Sequence, residues 1–252
     1  MRNKYVGDVG DFAKYGLLRA LCAADQNGSE LTLGLVWYFV SEKGLEYLSE
    51  RAKGRFGGCD HDLYGKLARM VQARSVSAVE QGDVLPPGTV FFADPVERSR
   101  REDWLDQAVD KMDDREVVFL DPDKRLIERL ERRGDARLRE YAYFDEVAKF
   151  AEHRGDRSVV IYHHLGRKEQ HKDEIKDRLG RLRQQLPGRS PFALWFRSYS
   201  ARAFLVIPAP AHEERLVGRA CGFVGTWESH FELVPSKTEL CSETRDASLR
   251  SA

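Results

Sequence analysis

The 252 residues are 42% hydrophobic and 33% charged, the make-up of a folded globular chain with a well-solvated surface rather than of a disordered or fibrous one. Lys plus Arg and Asp plus Glu balance at 41 each, which excludes a uniformly basic, histone-like binder but leaves room for a local basic face. No apolar run reaches the ~20 residues of a membrane span, no signal-peptide core opens the chain, and Cys22, Cys59, Cys221 and Cys241 show neither a C-x-x-C pair nor a zinc spacing. A cytoplasmic protein with reduced thiols and no membrane partner is therefore expected.

In chain order, residues 1–10 carry an echo, Val6-Gly7-Asp8 then Val9-Gly10-Asp11, and Asp11 is placed to cap a helix over 12–23. Residues 31–40, with Val36, Trp37, Tyr38 and Phe39, read as a fully buried central strand. Helical patterns follow at 44–53 and 62–73, short strands at 76–79 and 90–93, a helix at 104–112 and a strong strand at 116–120. Residues 126–138 are Arg-rich and irregular. A helix over 141–150 leads into a strand at 158–162, and Ile175, Leu179, Leu182 and Leu186 stripe a helix over 169–186 that Pro187-Gly188 ends. Strands at 192–197 and 203–207 are joined by Ser198-Tyr199-Ser200, short enough for a hairpin; a helix at 212–220 and a strand at 230–234 follow. The alternation predicts an α/β fold, a mostly parallel Rossmann-like (methyltransferase-like) sheet with helices on both faces and a C-terminal antiparallel hairpin. One catalytic domain over 1–235 and a polar tail over 236–252 are expected.

Chemistry concentrates where two strands end. Val117–Leu120 leads into Asp121-Pro122-Asp123, and Val159–Tyr162 leads into His163-His164. Ligands of open α/β sheets sit beyond the carboxyl ends of the strands, so two carboxylates and two imidazoles are expected to meet in one crevice and supply acid–base chemistry near neutral pH. The plainer reading makes Asp-Pro a turn and His-His a helix start. Asp8, Asp11 and Lys14 form a third polar cluster: either a capped helix with a surface lysine, or carboxylates over the same crevice with Lys14 on a phosphate. Arg and Lys follow both loops, including Lys124, Arg125, Arg167, Lys168 and Lys172, on the side where a polyanion would enter. Interspersed acids fit a solvated helix face equally well. Tyr5, Trp37, Tyr38 and Tyr162 are candidates to line a pocket for a flipped base. A divalent metal on Asp121, Asp123, Asp8 and His163 would suit a nuclease, but no spacing compels one and no metal is expected.

The segment Lys4-Tyr5-Val6-Gly7-Asp8-Val9-Gly10-Asp11-Phe12-Ala13-Lys14-Tyr15-Gly16-Leu17-Leu18 resembles the opening of an uncharacterised bacterial family, as do Val36-Trp37-Tyr38 and Phe119-Leu120-Asp121-Pro122-Asp123. In order of elements the chain is similar to ribosomal RNA adenine-N6 methyltransferases of a deviant Rossmann type. The resemblance implies that an Asp-Pro loop after a central strand holds the reactive base; Asp123-Lys124 stand where those enzymes have Pro-Tyr. More weakly, the chain looks like DNA glycosylases used in defence against phage.

A dinucleotide-type turn needs glycines directly after the first strand, and Ser41-Glu42-Lys43-Gly44 offers one, a deficit for S-adenosylmethionine binding. Excision of a base asks only for a carboxylate to activate water and a donor to support the departing base. The expected function is therefore glycosylase-type hydrolysis on DNA, in preference to RNA, without a cofactor. Asp121 would be the working carboxylate, assisted by Asp123, with His163 or His164 as donor. Asp121 is expected to be replaceable without loss of stability. The alternatives are an S-adenosylmethionine-dependent adenine methyltransferase and a non-catalytic nucleic-acid-binding module.

Overall fold

Strand β1 (Leu33–Trp37) fixes the plan of the molecule, because its five consecutive buried residues face two different cores. Leu33, Leu35 and Trp37 point into one, while Val36 and the following Tyr38 point into the other, the period-two alternation of an extended chain. Gly34 is required by close packing: a Cβ there would run into Met112 Sδ and Arg115 Cγ. The computed structural model describes residues 9–24, 28–38, 58–70, 76–129, 136–153, 155, 157–166, 170–235 and 239–240.

A seven-stranded sheet has the order β2 (Val90–Phe92), β1, β3 (Val117–Asp121), β6 (Ser158–His164), β8 (Arg202–Ile207), β7 (Phe192–Phe196), β9 (Phe231–Val234). The first four are mutually parallel. Strand β8 runs antiparallel to both β6 and β7, and β9 runs antiparallel to β7. A separate parallel pair joins β4 (Leu126–Ile127) to β5 (Ala142–Tyr143). The chain steps from β1 to β2 on one side and returns to β3 on the other, so the order reverses at β1. At such a reversal the flanking connections diverge and a crevice opens beyond the carboxyl ends of the strands.

Helices cover both faces. On one lie α1 (Val9–Cys22), α2 (His61–Met70), α3 (Val76–Gln81) and α7 (Glu213–Thr226), which contribute Phe12, Leu63, Val79 and Leu216 to the first core. On the other lie α4 (Arg101–Lys111), α5 (Phe144–Glu152) and α6 (His171–Gln185), which contribute Trp104, Phe150 and Ile175 to the second. The expected mixed α/β class, the largely parallel sheet and the C-terminal antiparallel strands are all present. Among the described residues no helix is long and apolar enough to cross a membrane.

Three expectations are corrected. Residues 76–79 are helical, not extended: the two valines stand three apart, a helical spacing, and Val79 is fully buried. Asp121 consequently ends the third strand, and Glu80 lies in α3. Helix α1 starts at Val9, so Asp11 occupies its first turn, where a carboxylate complements the helix dipole, and is not its cap. Strand β6 runs two residues further than expected and takes in both His163 and His164, because Ala203 and Arg202 of β8 pair with them. The helix expected at 44–53 and nearly all of the tail fall outside the described residues.

Candidate functional site

The reversal point gathers a row of side chains. Trp37 pairs with Asp121, and Leu120 with Ile161, so the next step along both strands sets Asp121 beside Tyr162. Alternation sends Trp37, Asp121 and Tyr162 to the face covered by α1, where Phe119 of β3 also lies. Asp11 and Lys14, three residues apart, share one side of α1. The result is a buried ion triad. Lys14 Nζ donates to Asp11 Oδ1 and to Asp121 Oδ2, both at 2.9 Å, with the Lys14 and Asp121 side chains 5% and 3% exposed.

Aromatic rings enclose the ammonium: the centroids of Tyr15, Trp37, Tyr162 and Phe119 lie 5.5, 5.6, 5.8 and 6.0 Å from Nζ. Burial works against the charge, but the carboxylates of Asp11 and Asp121 and the bonds they accept outweigh it, so the Lys14 pKa sits well above the usual lysine range. Lys14 is therefore a fixed cation between two acids and not the exposed phosphate contact that the sequence admits. Trp37 Nε1, in the same wall, is buried without a hydrogen-bond partner among the described residues.

His164 belongs to this face. Its Nδ1 lies 3.1 Å from the Tyr162 hydroxyl. Burial, followed by the positive charges of Arg202, Arg125 and Lys124, lowers its pKa to about 4, so the imidazole is neutral at physiological pH. Arg202, the register partner of His164, is buried with its guanidinium 5.7 Å from the Tyr162 ring. The sequence reading missed Arg202. Its one signal is a charged residue at the head of an otherwise apolar strand.

His163 points the other way, because neighbours on a strand diverge. It is fully buried: Nδ1 accepts the Leu126 N–H at 3.2 Å, and Nε2 faces Glu174 Oε1 at 3.0 Å. Burial depresses the His163 pKa. For the Glu174 carboxyl, burial pushes upward, but the bonds from His163 and from the Gly166 N–H (2.7 Å) hold the pKa at about 2. Arg125 Nη1 approaches the same carboxylate at 3.5 Å. His163, Glu174 and Arg125 thus fasten the segment after Asp121 to the exit of β6. The assignment of His163 as a base-leaving donor is corrected to this fixing role.

Tyr38 also leaves the candidate pocket. It faces the second core, donating its hydroxyl to Glu146 Oε2 at 3.0 Å and packing its ring 4.9 Å from that of Trp104, while Arg101 clamps the same Glu146. Asp123 is half-buried in the loop beyond Asp121. Backbone bonds stitch that loop down: Lys124 N–H donates to the Glu140 carbonyl, and the His164 N–H to the Lys124 carbonyl, each at 2.8 Å. The Lys124 side chain is partly exposed, 3.8 Å from Glu140. Lys172, in the first turn of α6, pairs with Glu232 beside Trp195, in the helix layer opposite Lys14. The candidates Asp8, Tyr5, Arg167 and Lys168 lie outside the described residues.

Among the described residues no group of three or more His, Cys, Asp and Glu side chains is arranged to hold a metal ion. Between Asp11 and Asp121, where a divalent ion would bridge the carboxylates, the Lys14 ammonium already sits. The chain matches no protein-family model, and no curated protein is similar to it.

Proposed function

We propose that the chain processes nucleobases in DNA and excises a base, plain or modified, by hydrolysing its N-glycosidic bond. The observation that carries the reading is the Asp11–Lys14–Asp121 triad walled by Trp37, Tyr15 and Tyr162 at the reversal of the sheet. Two carboxylates and one ammonium sum to a formal charge of −1, and a net negative site favours the positive charge that develops on the sugar as the bond breaks. Lys14 holds the Asp121 carboxylate in place, and we assign that carboxylate to the attacking water. The aromatic walls suit the flat faces of a base turned out of its stack. We assign the leaving-group role to His164: in the tautomer whose Nδ1 accepts from the Tyr162 hydroxyl, its neutral ring would present Nε2–H to a base departing as an anion. Asp123 and Lys124, on the loop above, are assigned to the flanking backbone of the substrate.

The test is a mass-spectrometric survey of products after incubation with plain and hypermodified DNA. The wild type is expected to release free base, and Asp121→Asn to slow release by about 10²- to 10⁴-fold, the usual worth of a positioned base. Cut backbone from the wild type, with no free base, would replace the proposal.

One observation favours a second reading, an S-adenosylmethionine-dependent adenine methyltransferase of DNA or RNA. A mostly parallel sheet whose order reverses at β1 and whose last parallel neighbour pairs with antiparallel β8 is the outline of a methyltransferase-like sheet. Calorimetry decides: micromolar binding of S-adenosylmethionine, about −8 kcal/mol, would promote this reading over hydrolysis.

A further inference from the structure

Helix α6 and β9, the last strand of the sheet, leave a groove of about 340 Å³ between them, within the size range of small-molecule sites. It lies in the helix layer opposite the triad. Leu179 and Val234, on its two sides, belong to the second core, whereas Trp37 and Phe119 beside Lys14 belong to the first.

The helix side is a single stripe. Lys172, Lys176, Leu179 and Arg183 line the groove, and at about 100° per residue they fall within an arc of about 60°. Lys176 and Arg183 stand two turns apart, about 10 Å along the axis, with Leu179 between them. The facing side is Leu233, Val234 and Pro235. The walls are thus aliphatic, and among the described residues no aromatic ring lines the groove.

Its cations are unequally engaged. Lys172 Nζ pairs with Glu232 Oε1 at 2.5 Å, and Arg197 approaches Oε2 of the same carboxylate at 3.7 Å. Arg183 Nη2 donates to the Pro191 carbonyl at 3.1 Å, which orients the guanidinium and leaves its other N–H groups for a ligand. Neither Lys176 nor Arg183 has a carboxylate partner among the described residues. A solvated lysine is ordinary on a protein surface. Two cations without acids, set along an aliphatic groove of ligand size, define a site with both a body and a head.

We infer that this groove binds a small aliphatic carboxylate, its head on Arg183 and Lys176 and its chain along Leu179, Val234 and Pro235. The lining selects that chemistry. Aliphatic walls shelter a hydrocarbon chain from water but give a nucleobase no ring to stack on. The Arg183 fork matches a carboxylate through parallel N–H bonds. With Glu232 and Glu239 counted, three cations and two carboxylates leave one positive charge in excess, which suits a monoanion and opposes a polyphosphate or a DNA strand.

Calorimetric titration of the full chain with butyrate, hexanoate and octanoate tests the inference, with inorganic phosphate and adenosine monophosphate as the rival chemistries. Each added methylene is expected to tighten binding about two- to four-fold, the upper figure corresponding to complete burial of a CH₂ group. Lys176→Gln should weaken octanoate about 2- to 5-fold, the worth of one part-exposed ion pair. Arg183→Gln should weaken it at least about 10-fold, the worth of a charge-assisted fork. Thermal unfolding of both variants controls for the lost bond to Pro191. Asp121→Asn should bind octanoate as the wild type does, so this site and the base-processing reading stand or fall separately. Absence of saturable octanoate binding, affinity independent of chain length, or wild-type affinity in both groove variants would overturn the inference. Phosphate or adenosine monophosphate binding more tightly than octanoate, and lost in the same variants, would overturn it in favour of a phosphate ester.

Discussion

Lys14→Met keeps most of the side chain's length and removes only the ammonium, and its cost follows from the triad. Asp11 and Asp121 are each 2% exposed, and each accepts from Nζ at 2.9 Å, so the two accepting oxygens lie no more than 5.8 Å apart (2.9 + 2.9). Breaking a buried ion pair from one side costs about 3–5 kcal/mol, because an uncompensated charge stays behind. Here two like charges stay behind, and at that separation and an effective dielectric of about 20 their repulsion is about 3 kcal/mol. The variant is expected to relieve part of this by binding one proton. The sign follows: a carboxyl whose folded pKa is raised above its unfolded value stabilises at low pH, and that contribution is lost as pH rises through the folded pKa. In the wild type the raised Lys14 pKa gives stability that is complete below about 10.5 and lost only in strong alkali. Urea titrations at pH 5, 6.5 and 8 should therefore show Lys14→Met destabilised by about 3–5 kcal/mol at pH 8 and by distinctly less at pH 5. Adding Asp121→Asn should return part of the loss. A deficit below about 1 kcal/mol, or one identical at all three pH values, would refute the triad as a buried charge network.

Acid should weaken the wild type between pH 6.5 and about 4. The depressed pKa values of His163 and His164 mean that the unfolded chain takes up protons first, so stability falls as pH drops through that window. His164→Gln should flatten the slope in urea titrations, and an unchanged slope would remove His164 as a contributor. His163→Phe should cost about 1–3 kcal/mol by orphaning the Leu126 N–H and removing one of the donors to the Glu174 carboxylate, and should speed amide exchange at Leu126 more than at Val159. Equal protection at both sites would show that the tether is slack. At the tip of the β7–β8 hairpin, where Tyr199 has a φ of 59°, Tyr199→Gly should unfold about 1 kcal/mol later than Tyr199→Ala, since glycine accepts the left-handed backbone. No difference would argue that the tip relaxes in solution.

The sheet was legible where apolar runs are bounded by polar punctuation, as at Val117–Leu120 before Asp-Pro, and where Ser198-Tyr199-Ser200 is too short for a crossover. Asp121 was legible for the same reason, as the first polar residue after such a run. Its partner was half legible: the Asp11–Lys14 spacing shows that one pair shares a helix side, but nothing local shows that the lysine meets a carboxylate 107 residues away. That third member turns a surface cation into a buried one. It also makes Asp121 part of the fold, against the expectation that it is dispensable for stability. The two histidines divided for a long-range reason as well. The strand continues through them only because β8 supplies partners, and alternation then sends them to opposite faces of the sheet. Glu174 and Arg202 acquire their meaning from these same pairings. At residues 76–79 the valines fit two periods, and burial of Val79 decided for the helix.

Release of free base and formation of abasic sites, counted in parallel on one DNA substrate, test the central claim most directly. Hydrolysis at the Asp11–Lys14–Asp121 triad predicts a one-to-one ratio for the wild type and a fall of at least about 100-fold in both counts for Asp121→Asn. Methylated bases in an intact strand, or equal counts from wild type and Asp121→Asn, would contradict it.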